Sequence, residues 1–259
     1  MFKLSKRKRF LISSFVSSLG FVGVQLLPED LRFIGIFLLS ILAVILTGWS
    51  LYDGLGKNAT LLILILPFFY TLGVGFFWFL LPSNIYARIP VVLLYGLGVY
   101  ALCLTLNIYV VAAIRTIALL RAAKGVGFIL SLFTFFLIFN LILSFKWPVY
   151  VSASFVSLLS LPLYLQGFWT ASLEKYIDKR LIGYSLIASI LMGEIATAIF
   201  FWPVTLVVGS LFLTVSSYVL LGLGQAQLEG RLFSQTVREY VSVGIAVLVG
   251  MFFVTNWGG

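Results

Sequence analysis

The 259-residue sequence contains no histidine and a single cysteine, Cys103. The absence of histidine excludes the common haem ligand, the Ser-His-Asp triad and the usual histidine-containing zinc sites. One thiol supports neither an intrachain disulfide framework nor a multi-thiolate metal site. We therefore predict no catalytic residue, no metal site and no cofactor from these residue types.

Charged residues are also scarce, at 10% of the chain, and only eight of them are acidic. The three aspartates, Asp30, Asp53 and Asp178, fall in predicted loops and are too scattered for a paired-aspartate metal motif. No lysine lies within a predicted membrane span, which argues against a Ser-Lys membrane hydrolase. An enzyme of lipid metabolism is therefore the least favoured class of function.

Apolar residues, in contrast, make up 62% of the chain, and the mean hydropathy is +1.15. Soluble domains are about 45–50% apolar, and a helix needs about 20 apolar residues to cross a bilayer. Such runs follow one another here with short breaks that leave no room for a soluble domain. The sequence predicts an all-α, polytopic integral membrane helix bundle, with residues 1–259 forming a single transmembrane domain.

Breaks at charged residues, proline and glycine divide the apolar runs into nine predicted transmembrane helices with short loops. These spans are 10–27, 31–52, 58–81, 89–113, 125–145, 148–172, 181–202, 203–223 and 241–257. Residues 225–240 separate into a polar and an apolar face at 100° per residue, which predicts a cytoplasmic interfacial helix.

The distribution of basic residues predicts the orientation of the chain. If the N-terminus is cytoplasmic, all but three of the 17 lysines and arginines fall on the inner side; the exceptions are Arg32, Arg88 and Lys146. Cytoplasmic loops carry such an excess of Lys and Arg in membrane proteins. We therefore predict a cytoplasmic N-terminus and an outside C-terminus, and we attribute the net charge of +9 to topology, not to nucleic-acid binding.

Glu194 is the only acidic residue within a predicted span, about 12 Å from the outer boundary at Trp202. A stripe of small residues lies one step around the same helix, at Ser185, Ser189, Gly193 and Thr197. Because small residues let helices approach closely, we expect the Glu194 carboxylate to face a packed helix interface. Its candidate partners from the outer side are Arg88, Lys146 and Gln25.

Two prolines, Pro67 and Pro162, interrupt the third and sixth predicted spans. Each removes a backbone hydrogen bond, so each is expected to kink its helix. A kinked helix can line a cavity, or the kink can serve packing alone.

The inner surface of the predicted bundle is basic. Its candidate contacts with anionic lipid headgroups or partner proteins are Arg115, Arg121, Lys124, Arg231 and Arg238. Ordinary positive-inside charge, without a specific ligand, explains the same residues.

Together these patterns favour a small permease, or a transporter of lipids or small molecules, with an intramembrane carboxylate at Glu194. The alternative is a non-catalytic membrane subunit or scaffold that binds partner proteins through its basic cytoplasmic face. Either protein would be integral to a membrane, which we expect to be the cell (plasma or inner) membrane. The expected partners are the lipid bilayer and other membrane proteins.

Overall fold

The structure is a computed structural model. It describes residues 5–55, 60–81, 85–114, 118–174 and 176–255, without the side chains of 85–88. Within these residues the chain forms nine α-helices, one short 3₁₀ helix and no strand, so the all-α prediction is confirmed. The helices are α1 Lys6–Gln25, α2 Glu29–Leu51, the 3₁₀ helix Thr60–Leu64, α3 Ile65–Phe79, α4 Ile85–Ala112, α5 Leu120–Ser144, α6 Val149–Ser172, α7 Lys179–Phe200, α8 Leu206–Leu228 and α9 Ser234–Val254.

Among the described residues, eight helical segments are long and apolar enough to cross a membrane, one of them formed by the 3₁₀ helix together with α3. The chain is therefore a multi-pass integral membrane protein. α1 is not one of the eight, and its first turn consists of the basic residues Lys6, Arg7, Lys8 and Arg9. The ninth span and the orientation of the chain stay predictions.

The structure corrects the predicted interfacial helix 225–240. α8 continues through Leu228, and α9 begins at Ser234. Gly230, between them, has a φ of 67°, a left-handed conformation that ends helices and that glycine adopts readily. The polar and apolar faces in this stretch therefore belong to the ends of two helices separated by a turn.

The chain divides into two compact units, Met1–Leu130 and Ser131–Gly259, where the sequence predicted one domain. In the first unit, α1 packs against α2 and α4, and α2 packs against α3. The hydroxyl oxygens of Ser13 and Ser50 lie 2.6 Å apart between α1 and α2. This contact places the start of α1 beside the end of α2.

In the second unit, α6 and α7 form the most extensive helix pair, and α8 packs against both and against α9. A Cβ atom at Gly193 of α7 would lie 3.1 Å from Ser157 Cβ and 3.2 Å from the Ala153 carbonyl oxygen of α6. A side chain at this position would therefore force α6 to give way by a few tenths of an ångström. Trp202 Nε1 donates a hydrogen bond to Thr255 Oγ1 at 2.8 Å, which joins the α7–α8 turn to the end of α9.

Candidate functional site

Glu194 lies in α7, six residues before the helix ends at Phe200, or about 9 Å along its axis. The small residues Ser185, Ser189 and Gly193 are buried, whereas Glu194 itself is exposed. The expectation that its carboxylate faces a packed helix interface is therefore wrong.

The reason is the position of α6 around α7. α6 covers Gly193, and the next residue points about 100° away from it. Met192 and Ala196 are also buried, so the face that carries Glu194 is the one left uncovered. Its neighbours there are large and apolar, with Ile187 and Ile190 more than half exposed, at 57% and 55%.

The candidate partners of Glu194 do not reach it in the described part of the chain, where its carboxylate has no hydrogen bond or ion pair. Lys146 is exposed in the α5–α6 turn, where its φ of 49° is left-handed. Gln25 is buried at the end of α1, and its Nε2 atom has no partner among the described residues. The side chain of Arg88 lies outside the described residues.

The two prolines occupy different settings. Pro67 is the third residue of α3, directly after the 3₁₀ helix Thr60–Leu64. Proline cannot donate the backbone hydrogen bond that a continuous α-helix would need at this point, so it lies where the helix type changes. Pro162 lies inside α6, which continues on both sides of it.

The predicted basic contacts also differ from one another. Arg121 and Arg238 are exposed, Lys124 is half-buried, and Arg115 lies outside the described residues. Arg231 donates a hydrogen bond to Glu229, which raises the pKa of the Arg231 guanidinium. Arg121 and Arg238 are therefore the predicted contacts that present an exposed cation outside the ion pairs of the described ranges.

The structure brings together three charged residues that sequence reasoning did not connect. Arg9 Nη2 donates to Asp53 Oδ2 at 2.6 Å, and Lys6 Nζ lies 3.9 Å from the same oxygen. The Arg9 side chain is only 8% exposed, whereas those of Asp53 and Lys6 are 35% and 45% exposed. We call Lys6, Arg9 and Asp53 the charge cluster.

Groups from α2 hold the charge cluster in position. The Arg9 guanidinium lies 4.8 Å from the centre of the Tyr52 ring, and its Nη1 lies 3.5 Å from the Trp49 carbonyl oxygen. Ser50 Oγ donates to the Arg9 carbonyl oxygen at 3.3 Å. The hydrogen bond from Arg9 is the main cause that lowers the pKa of Asp53, so this carboxyl is ionised at neutral pH.

A cavity of about 170 Å³ opens beside the charge cluster. Lys6 and Asp53 line one part of it, and Val110, Val111 and Ile114 from the end of α4 line another. The cavity thus combines one exposed ammonium, one exposed carboxylate and an apolar wall. No group of three or more Cys, Asp or Glu side chains within the described ranges could hold a metal ion.

The charge cluster could have been inferred from the threading. Arg9 precedes the first predicted span and Asp53 follows the second, so both fall on the same predicted side of adjacent antiparallel helices. The sequence-based prediction used Arg9 only for the orientation of the chain and placed Asp53 in a loop. Opposite charges at the same end of a helical hairpin are the signal that would have paired them.

The comparisons with known proteins identify a family. The family model DUF5656, described as a protein of unknown function, matches residues 17–254. Since this range covers most of the chain, the protein belongs to that family. No curated protein and no solved structure matches the sequence.

Proposed function

We propose that the chain is a non-catalytic subunit of a membrane complex and binds a partner membrane protein through the face of α7 that carries Glu194. The single observation that carries the proposal is a carboxylate on an exposed helix face without a partner in the described part of the chain. Residues that flank it on this face, such as Ile187 and Ile190, are apolar and exposed.

The cost of such a carboxylate supports an external partner. Placing an aspartate at the centre of a membrane helix costs about 2.5–3.5 kcal/mol on insertion scales, and ionisable residues in spans usually face protein or water. A partner helix that presents Lys or Arg at the same depth would place a positive charge beside the Glu194 carboxylate. We therefore assign the occupant of this face as a transmembrane helix with a basic side chain.

A transporter, the function that the sequence favoured, would need Glu194 to border a polar passage. A cavity of about 290 Å³ lies between α7, α8 and α9. Ile195, the residue that follows Glu194 in the sequence, lines it. Its other described walls are mostly apolar, with residues such as Phe212 and Leu248. Ser216 also lines it, but its hydroxyl donates to the Phe212 carbonyl oxygen at 2.9 Å, and no charged side chain is among the described lining residues. The transport proposal therefore has less support than the subunit proposal.

Anionic lipid headgroups remain proposed partners of the basic residues on the predicted inner side. Arg121 and Arg238 are exposed and outside the ion pairs of the described residues, so they are the positions available for such contacts. This interaction adds membrane affinity and does not select between the two functions.

A photo-crosslinking amino acid at Ile190 tests the subunit proposal in the full chain in its native membrane. We expect a crosslink to a membrane protein that the Glu194→Leu substitution removes. Glu239→Gln is the matched control, because it neutralises an exposed carboxylate whose one hydrogen bond within the described ranges comes from Gln235. Exchange of charges, with Glu194→Lys in this chain and the basic residue of the captured helix changed to glutamate, should restore the crosslink.

Two results would contradict the subunit proposal. One is a crosslinked protein whose yield is the same with Glu194→Leu as without it. The other is a flux through vesicles reconstituted with this chain alone that Glu194→Gln abolishes without loss of insertion, because that result would identify a carrier.

A further inference from the structure

The cavity beside the charge cluster has a mixed lining that selects the chemistry of its occupant. Among the described residues that line it, the two charged side chains, Lys6 and Asp53, are exposed and of opposite sign. An anion placed there would meet the Asp53 carboxylate, and a cation would meet the Lys6 ammonium. A ligand that carries both charges a few ångströms apart avoids both repulsions, because each of its charges can lie beside the side chain of opposite charge.

The location of the cavity narrows the class of ligand further. It lies where α1 begins and where α2 and α4 end, so it opens at the ends of three helices of the first unit. Trp49 and Tyr52, at the same end of α2, are exposed, at 40% and 63%. Exposed Trp and Tyr at helix ends are typical of the membrane interface, which is the level of lipid headgroups.

The size of the cavity agrees with a small polar group. A water molecule takes about 30 Å³ in the liquid, so 170 Å³ corresponds to about five or six waters. That space suits a phosphate with a short amino-alcohol. The apolar wall from Val110, Val111 and Ile114 is suited to the start of an acyl chain.

We infer that this cavity binds the headgroup of a zwitterionic phospholipid with a primary ammonium, that is, a phosphoethanolamine group. The Lys6 ammonium donates to the lipid phosphate, and the Asp53 carboxylate accepts from the lipid ammonium. Arg9 positions Asp53 through their 2.6 Å hydrogen bond and does not itself line the cavity. The site lies in the first unit and is independent of the Glu194 face in the second.

The glycine beside Asp53 supports a cavity of fixed shape. A Cβ atom at Gly54 would overlap the Val110 side chain, so the turn after α2 lies directly against α4. Thr60 Oγ1 donates to the Gly54 carbonyl oxygen at 3.2 Å and holds the turn from the other side. The turn after α2 and the end of α4 therefore form walls of the cavity that pack against each other.

Native mass spectrometry of the purified full-length chain tests the inference with three lipids of identical acyl chains: phosphatidylethanolamine, phosphatidylcholine and phosphatidylglycerol. We expect phosphatidylethanolamine to be retained several-fold more than either of the others. Lys6→Gln should reduce that retention by about fivefold, the size of one partly exposed charge contact. Lys8→Gln removes the same charge from an exposed residue outside the cavity and should leave retention unchanged.

A second variant, Val111→Trp, fills the cavity and leaves both charges in place, so it should also abolish the preference. Equal retention of phosphatidylglycerol would overturn the inference, because it would indicate a site for anions. Equal retention of phosphatidylcholine would overturn the contact between Asp53 and a primary ammonium. Binding of soluble phosphoethanolamine as tightly as the lipid would overturn the membrane source of the headgroup.

Discussion

Replacing Asp53 with asparagine tests how strongly the first unit depends on the buried cation at the start of α1. The substitution keeps the size of the side chain and one acceptor oxygen but removes the negative charge beside Arg9. The guanidinium would stay 8% exposed, with its Nε atom already without a partner among the described residues. Its remaining contacts would be the neutral amide oxygen at position 53, the Trp49 carbonyl oxygen at 3.5 Å and the face of the Tyr52 ring.

The expected cost lies between two limits. Removing one partner of a fully buried ion pair costs about 3–5 kcal/mol, whereas an exposed pair contributes about 0–1 kcal/mol. Here the cation is buried but the carboxylate is 35% exposed, so water already reaches one side of the pair. We expect Asp53→Asn to lower the free energy of unfolding by about 2–3 kcal/mol, or about 30- to 160-fold in the equilibrium constant.

Unfolding of the purified protein in mixed micelles of rising SDS content measures this change. Lys6→Gln is the control, because it removes only the 3.9 Å contact between two partly exposed groups and should cost less than about 1 kcal/mol. Adding Arg9→Met to Asp53→Asn should recover part of the loss, since no buried charge then lacks a partner. If Asp53→Asn costs no more than Lys6→Gln, the ion pair does not stabilise the first unit.

One further prediction concerns the same ion pair, and two concern contacts within the second unit. Because Arg9 lowers the pKa of Asp53, the stability from their pair is complete above about pH 4 and is lost as the pH falls through the folded pKa. The SDS unfolding midpoint should therefore decrease from pH 7 to pH 3 in the natural chain and not in Asp53→Asn. Gly193→Leu should separate α6 from α7 and lower the free energy of unfolding by about 1–3 kcal/mol in the same assay, because the leucine side chain would overlap Ser157. An unchanged midpoint would mean that the two helices do not pack closely there. Trp202→Phe keeps the apolar ring but removes the 2.8 Å hydrogen bond to Thr255, so proteolysis after residue 254 should become faster while the SDS midpoint falls by about 1 kcal/mol or less.

The order of the helices was predictable because apolar runs of spanning length alternate with charged, proline or glycine breaks. The predicted span 181–202 corresponds to α7, Lys179–Phe200, with a difference of two residues at each end. The predicted interfacial helix is interrupted at Gly230. The helical periodicity of the sequence continues through this glycine, but its φ of 67° ends the helix. Periodicity identifies faces, whereas backbone conformation decides where a helix stops.

The candidate site was harder to predict for a geometric reason. The small-residue stripe correctly identified the face of α7 that packs, because Gly193 lies against α6. It did not determine how wide that face is, and Glu194, one position further around, lies beyond its edge. The width depends on which other helices surround α7, and a single sequence does not encode that arrangement locally.

Two charged residues, Arg9 and Glu194, lie in opposite settings in this fold. Arg9 is buried, and the chain itself supplies Asp53, the Tyr52 ring and the Trp49 carbonyl oxygen around its guanidinium. Glu194 lies on a helix face among apolar side chains, and no described residue supplies a donor for it. Because the chain places a carboxylate beside its buried guanidinium but no described donor beside Glu194, the unpaired carboxylate supports a donor that comes from another molecule.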